Sequence, residues 1–302
     1  MTDQRRGLLL GVAAYGLWGG FPLYWPHLEP AGAIEILAHR VLWSVLTMGL
    51  LVVLLGRVPQ LRALVADRRT FLILGVAALT ITVNWATYIY GVNNDKVIET
   101  SLGYFVNPLV TVLMGVLVLG ERLRRLQWVA MGVAATAVVV LTLDYGRLPW
   151  VALVLAFSFG TYGLAKKSAN VGAVESLALE TTLIAPFAVA YLGWLIATGH
   201  SNFASHGAGH ALLLCSAGIV TAIPLICFGA AATRVSMVTL GLLQYLAPTL
   251  QFLLGVLYFG EQMSTGRWVG FGLVWVALML MSGHGLHRAN ANRRGRLVAE
   301  PV

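Results

Sequence analysis

The chain has 302 residues, of which 58% are hydrophobic and only 11% are charged. A soluble domain carries about 25% charged residues, so the composition excludes an ordinary water-soluble protein. The net charge of +8 does not indicate nucleic-acid binding, because the basic residues lie in short segments between apolar blocks. These blocks are about twenty residues long, which predicts an all-α integral membrane protein that spans a lipid bilayer many times.

Ten apolar blocks, bounded by charges, glycine or proline, predict ten transmembrane helices. In chain order the spans cover residues 7–26, 33–55, 71–92, 97–119, 126–143, 148–165, 174–197, 209–230, 235–259 and 266–284. Cytoplasmic loops are enriched in lysine and arginine. With the N-terminus inside, 16 of the 20 basic residues fall in inside segments. Both termini, including a basic tail at 287–302, are therefore predicted to be cytoplasmic.

The first and third spans carry polar and aromatic candidates for a central cavity. Tyr15 and Trp18 lie in span one, and Asn84 and Tyr88 share one face of span three. Aromatic rings near an interface are ordinary belt residues, but Asn84 lies deeper and needs a hydrogen-bond partner. A cavity role and a packing role are both open for these side chains.

Glu99 lies at the outer start of span four, three residues after Lys96. A carboxylate at a helix N-terminus is stabilised by the helix dipole, and a lysine one turn away adds a local ion pair. This local account is one interpretation of Glu99. The other is a gate, or an acid accessible to protons, at the outer mouth of a cavity.

Span four also shows most clearly that the chain contains an internal repeat. The stretch "SLGYFVNPLVTVLMGVLVLGE" (101–121) is followed by "GLLQYLAPTLQFLLGVLYFGE" (241–261), and one shift of 140 residues superposes Pro108 on Pro248 and Glu35 on Glu175. Each half therefore holds five spans, in predicted repeats at 7–143 and 147–286. Because five is odd, the second repeat is inverted, an architecture typical of alternating-access carriers.

The two prolines break their helices at the same place. A proline removes one backbone hydrogen bond and frees the carbonyl four residues earlier, which is tolerated at membrane depth when protein or a wet cavity satisfies it. Pro108 and Pro248 could be packing kinks, but their symmetric recurrence beside polar residues favours a cavity. The further predicted lining residues are Tyr104, Asn107, Tyr162, Gln244 and Tyr245.

The same shift makes Arg40 of span two and Glu180 of span seven equivalent positions of the two repeats. Arg40 lies about 10 Å into its span, where an isolated arginine is costly, so it should face the interior with a partner. In one interpretation Arg40 and Glu180 form an ion pair that locks the repeats together. In the other, Arg40 holds an anionic group and Glu180 titrates with a coupling proton.

Several segments resemble the RarD branch of the drug/metabolite transporter superfamily, whose members contain two EamA domains. The matching stretches are "EILAHRVLWS" (35–44), "NWATYIYGVNN" (84–94), "ETSLGYFVNPL" (99–109), "AFSFGTYGLAKK" (156–167), "AAATR" (230–234) and "LQYLAPTLQFLLGV" (243–256). The resemblance implies a transporter of the bacterial inner membrane, with ten spans and a central cavity between the halves.

We therefore predict transmembrane transport of a small metabolite or drug by a secondary transporter. A channel and a membrane-embedded enzyme are the alternatives. The enzyme is disfavoured because only His39, of seven histidines, lies in the interior of a span, while His210 and His284 fall at span ends. No cofactor and no metal site are predicted. The substrate, the direction of transport, the coupling ion and homodimerisation are left open.

Overall fold

We describe a computed structural model of the chain for residues 3–119, 125–169, 171–203, 205–232, 234–235 and 243–280. These segments are mainly helical and contain no strand, so the all-α prediction is confirmed for them. The predicted basic tail lies outside the described residues. The helices are α1 (Asp3–Tyr24), α2 (Ala33–Leu54), α3 (Val58–Ala66), α4 (Arg68–Val92), α5 (Val97–Leu119), α6 (Arg125–Tyr145), α7 (Trp150–Ala169), α8 (Ala173–Ala197), α9 (Gly207–Ala232), α10 (Leu246–Leu253) and α11 (Thr265–Leu280).

Each of the ten predicted spans overlaps one of these helices, although in span nine the described α-helix covers only Leu246–Leu253. Among the described residues, α1, α2, α4, α6, α8 and α9 are long and apolar enough to cross a bilayer. Helices α7, α10 and α11 are shorter apolar helices, and α5 has 23 residues. The remaining helix, α3, was not predicted. It has nine residues and buries none of them, as expected for a surface helix in the loop between spans two and three.

The most extensive contacts among α1 to α10 join the two halves of the chain. Helix α4 packs on α7, and the equivalent pair after exchange of the halves is α9 on α1. In the same way α5 packs on α7, and its equivalent pair is α10 on α1. The pair α2–α9 has its counterpart in α4–α8, while α2 contacts α8 and α5 contacts α10. When the halves are exchanged, each of these contacts maps onto another of them or, for α2–α8 and α5–α10, onto itself. Two repeats related by a pseudo-two-fold axis have this pattern.

The N-terminal end of α5 is fixed by a carboxylate from the other half. Glu261, in the loop between α10 and α11, accepts hydrogen bonds from the backbone N–H groups of Val97 at 2.6 Å and Ile98 at 3.2 Å. These are orphan donors of the first helical turn, and a carboxylate also complements the helix dipole there. Burial nevertheless raises the pKa of Glu261 to about 7.

Candidate functional site

A cavity of about 600 Å³ lies between the two halves of the chain. Its walls come from α1, α2, α4 and α5 of the first half and from α7, α8, α9 and α10 of the second. A volume of this size with a mainly apolar, aromatic lining is typical of small-molecule sites. Eight of the nine predicted cavity residues lie in its wall, namely Tyr15, Trp18, Asn84, Tyr88, Tyr104, Asn107, Tyr162 and Gln244.

The ninth residue, Tyr245, lies elsewhere. Its side chain packs against an apolar cluster that includes Phe252 and Phe271. Gln244 and Tyr245 form a turn that leads into α10, and neighbouring residues in a turn can point in different directions. The sequence therefore placed the right segment at the cavity but assigned one side chain too many to its wall.

The two symmetric prolines differ in their surroundings. Helix α5 runs without interruption through Pro108, as Val97–Leu119. In the second half, Pro248 is the third residue of α10, and Tyr245 accepts the first helical hydrogen bond from the N–H of Thr249 at 3.1 Å. A proline in the first helical turn gives up no hydrogen bond, since those N–H groups have no helical partner. In the described part of span nine the helix begins at Leu246, after a turn at 244–245, with Pro248 in its first turn; the kinks at Pro108 and Pro248 stay predictions.

A third proline, which the sequence analysis did not single out, leaves a backbone carbonyl of α1 without its helical donor. Pro22 lies inside α1 and cannot donate to the carbonyl of Trp18, four residues earlier. The side chain of Gln251 in α10 donates to that carbonyl, with Nε2 3.0 Å from the oxygen. Trp18 and Gln251 both line the cavity, so a proline-freed carbonyl is satisfied at the wall by the opposite half.

Asn84 joins three helices at the cavity wall. Its Nδ2 donates to the Leu155 carbonyl at 3.0 Å and to Ser158 Oγ at 3.1 Å, both on α7. Its Oδ1 accepts a hydrogen bond from the Tyr104 hydroxyl of α5 at 3.1 Å. A deeply buried asparagine needs hydrogen-bond partners, and Asn84 therefore has them in both halves.

The close approach of α5 to α7 depends on a glycine beside Tyr104. A Cβ atom at Gly103 would lie 2.8 Å from the Ala152 carbonyl oxygen and 2.8 Å from the Leu155 Cβ. Real Cβ atoms do not tolerate such distances to backbone, so a larger residue would push the helices apart. Gly103 thereby lets α5 pack closely on α7, the helix that also accepts the hydrogen bonds of Asn84.

Arg40 lies in the wall of the cavity and is only 3% exposed. Its Nε donates to the Thr221 hydroxyl of α9 at 3.0 Å. The guanidinium carbon lies 4.0 Å from the ring centre of Trp85 and 5.0 Å from that of Trp25. An arginine over an aromatic face gains a cation–π attraction, which is stronger where water is excluded.

The expected pair between Arg40 and Glu180 does not form. Glu180 instead pairs with Lys166 of α7, with Nζ 2.8 Å from Oε1, and accepts a hydrogen bond from the Ser176 hydroxyl at 2.5 Å. The repeat correctly equates the positions of Arg40 and Glu180 in sequence. Glu180, however, finds its cation within its own half, and Arg40 contacts Thr221 and Trp85. The ion-pair interpretation is therefore wrong for these two residues.

Glu99 is engaged at the start of α7 and does not line the cavity. Its Oε2 lies 2.7 Å from Nη2 of Arg147, and its Oε1 accepts from the backbone N–H of Val151 at 3.0 Å. Lys96, the local partner that the sequence suggested, lies over the ring of Tyr90 instead. A structural role for Glu99 is thus supported, with Arg147 as its cation.

Several wall residues were not among the candidates. They are Phe21, Trp85, Phe159, Lys166, Thr221, Phe228 and Gln251. Thr221 and Gln251 are polar residues inside predicted spans, and that signal alone could have identified them. Lys166 was assigned to an inside loop by its charge, although α7 extends past it to Ala169.

Comparison with known proteins identifies relatives over the whole chain. The model of the EamA-like transporter family matches twice, at residues 5–143 and 148–283. A protein named RarD from Streptomyces exfoliatus is 55% identical over 100% of this chain and 96% of its own length. An uncharacterized transporter of Vibrio cholerae is 42% identical, with 97% of each chain covered.

One solved crystal structure resembles the fold. It matches with a TM-score of 0.58 over 91% of this chain and 96% of the other, at 20% sequence identity. At that identity the match supports the helical architecture alone.

Proposed function

The chain belongs to the EamA-like transporter family, in its RarD branch, and we propose on that premise that it is a secondary transporter working by alternating access. It is a multi-pass membrane protein of a transporter family, and not of an enzyme family. We propose that its substrate is a small metabolite or drug. The proposed location is the bacterial inner membrane, with both termini in the cytoplasm.

One observation carries the proposal, namely the cavity that both halves share. Residues 7–143 and 147–286 form the proposed inverted repeats, and the exchange of halves in the helix contacts supports this division. A solute bound between two repeats can be exposed to either face if one repeat rocks against the other. The cavity wall is built in this way, from four helices of each half.

A proton gradient is the proposed energy source. Glu180 is the candidate carboxylate, because it is 1% exposed and pairs with Lys166, which lies in the cavity wall. Protonation of Glu180 would release Lys166, so the two charges can couple a proton to the shape of the cavity. Flux that depends on a pH gradient in the parent protein, and no longer does so in Glu180→Gln, is the expected sign of coupling.

Saturable flux in proteoliposomes tests the transporter proposal. Solutes from a panel of small metabolites and drugs would first be ranked by thermal shift on the purified protein. We expect saturable uptake and accelerated exchange when unlabelled solute is loaded on the opposite side. Linear flux without exchange would indicate the channel alternative instead.

A cavity-filling variant supplies the matched control. Gly163 lines the cavity, and a Cβ atom there would meet nothing within 4 Å, so Gly163→Phe is the variant chosen to fill the cavity. Gly193 on α8 is equally unobstructed but does not line the cavity. We expect Gly163→Phe to abolish flux and Gly193→Phe to retain it. Equal flux in both variants would contradict a transport path through this cavity.

A further inference from the structure

We propose that the central cavity binds an organic anion, a planar apolar body carrying one carboxylate, and that Arg40 holds the carboxylate. This inference rests on the proposed transport function and adds the chemical class of the substrate. It is carried by the unneutralised charge of Arg40 and by unpaired polar atoms in the same cavity wall.

The charge balance of the cavity wall is the first argument. Among the described residues of the wall, Arg40 and Lys166 are cations, and none is an aspartate or glutamate. Lys166 is neutralised by Glu180 behind it, at 2.8 Å. Arg40 has no carboxylate within ion-pair distance in the described part of the chain. Since arginine stays protonated in proteins, the cavity presents one net positive charge.

The hydrogen bonds of Arg40 are the second argument. A guanidinium has five N–H donors, and in the described residues only the one on Nε has a partner, the Thr221 hydroxyl. That bond, together with the Trp85 ring at 4.0 Å, holds the planar group in place. The four donors on the two terminal nitrogens are left for a ligand. A carboxylate is the group whose two oxygens match such a fork.

Unpartnered polar atoms in the same cavity wall as Arg40 complete the site. Tyr88 is 3% exposed, and its hydroxyl has no hydrogen-bond partner among the described residues. Asn107 is 9% exposed, and its Oδ1 likewise lacks a partner in the described structure. Buried polar atoms are costly without partners, so these atoms are candidates to bind a ligand.

The rest of the wall specifies the body of the ligand. Rings of Tyr15, Trp18, Tyr104, Phe159 and Phe228 line the cavity. Aromatic faces favour planar apolar groups, and Asn107 Oδ1 offers an acceptor to one N–H or O–H donor on the ligand. The combination fits an aromatic acid better than a sugar, a polyanion or an organic cation.

Three ligands that share an indole ring but differ in charge test the inference. Indole-3-acetate, indole-3-acetamide and tryptamine would be titrated by calorimetry into the full-length protein in nanodiscs. We expect the anion to bind about tenfold more tightly than the amide, and tryptamine to bind more weakly still. Equal or reversed preference, or no binding of the anion, would overturn the inference.

Two variants assign the preference to Arg40. Arg40→Gln should bind the acid and the amide equally, whereas Arg62→Gln, on the exposed face of α3, should retain the preference. If Arg40→Gln fails to fold, Tyr88→Phe serves instead, because it removes only an unpartnered hydroxyl. It should weaken acid binding several-fold and amide binding less, because a hydroxyl donor gains more from a charged acceptor than from a neutral one. Retained preference in the folded Arg40→Gln or in Tyr88→Phe would contradict the assignment.

Failure of the inference and failure of the proposed function give different results. Preference for the amide or the amine, together with saturable flux, would leave a transporter with a different substrate class. Absence of saturable flux for every solute would remove the transport proposal itself.

Discussion

Glu35 and Glu175 make equivalent contacts on opposite halves of the molecule. Glu35 accepts hydrogen bonds from the backbone N–H of Asn202 at 2.7 Å and from its side-chain amide at 2.8 Å. Glu175 forms an ion pair with Arg57 at 2.8 Å. Each acid begins the second span of its own half and contacts the loop between the second and third spans of the other half. The two buried carboxylates therefore tie the halves together.

Loss of either carboxylate should lower stability. Glu35→Ala removes a buried acceptor and leaves the two Asn202 donors without it, at an expected cost of about 1–3 kcal/mol. The measurement is the midpoint of thermal unfolding in detergent. Asp3→Asn is the control, because the Asp3 side chain is 77% exposed and its pair with Arg234 lies at the surface. An unfolding midpoint of Glu35→Ala equal to that of Asp3→Asn would contradict a stabilising contact between the halves through Glu35.

A double-mutant cycle should couple Gln251 to Pro22. Gln251→Met leaves the Trp18 carbonyl without its partner, which we expect to cost about 1–3 kcal/mol. In Pro22→Ala the backbone N–H of residue 22 can bond that carbonyl, so the same change should cost less. Unfolding free energies of the four proteins give the coupling. Strict additivity would show that Gln251 does not compensate for the proline.

Stability should depend on the protonation of Glu261. Its folded-state pKa, raised by burial to about 7, exceeds the ordinary value of 4.5. The folded state therefore favours the protonated form. This contribution is fully present below pH 4.5 and is lost as the pH rises to about 7. The total change is at most about 3 kcal/mol.

The variant Glu261→Gln separates this titration from others. Thermal unfolding of the parent protein should shift to lower temperature between pH 4.5 and 7, and Glu261→Gln should show a smaller shift. Glu29→Gln, in an exposed loop, should keep the slope of the parent protein. An unchanged slope in Glu261→Gln would refute the assignment.

Exchanging charges should distinguish the true ion pair from the expected one. Removing one partner of a buried pair costs about 3–5 kcal/mol, whereas restoring complementarity recovers part of that loss. The double variant Lys166→Glu/Glu180→Lys should therefore be more stable than Glu180→Lys alone. Arg40→Glu/Glu180→Arg should show no such recovery, because Arg40 and Glu180 do not touch. Yield of folded protein after gel filtration and the unfolding midpoint measure both effects.

Local patterns in the sequence were enough for the membrane helices. A bilayer admits only segments that satisfy their own backbone hydrogen bonds, so ten apolar blocks translate almost directly into ten helices. The same rule identified the polar candidates, because Asn84 or Arg40 in an apolar block has to face protein or a cavity. Eight of the nine proposed lining residues lie at one cavity for this reason. The surface helix α3 was not predicted because it buries no side chain and contains no long apolar block.

Only the tertiary structure decided which polar groups meet. The shift of 140 residues equated Arg40 with Glu180, but a sequence offset gives equivalent positions and carries no distance across the interface. In space Glu180 meets Lys166, and Arg40 meets Thr221 and Trp85. Partners in a folded protein depend on helix rotation and height. These follow from the packing of all ten spans, which no single segment of sequence contains.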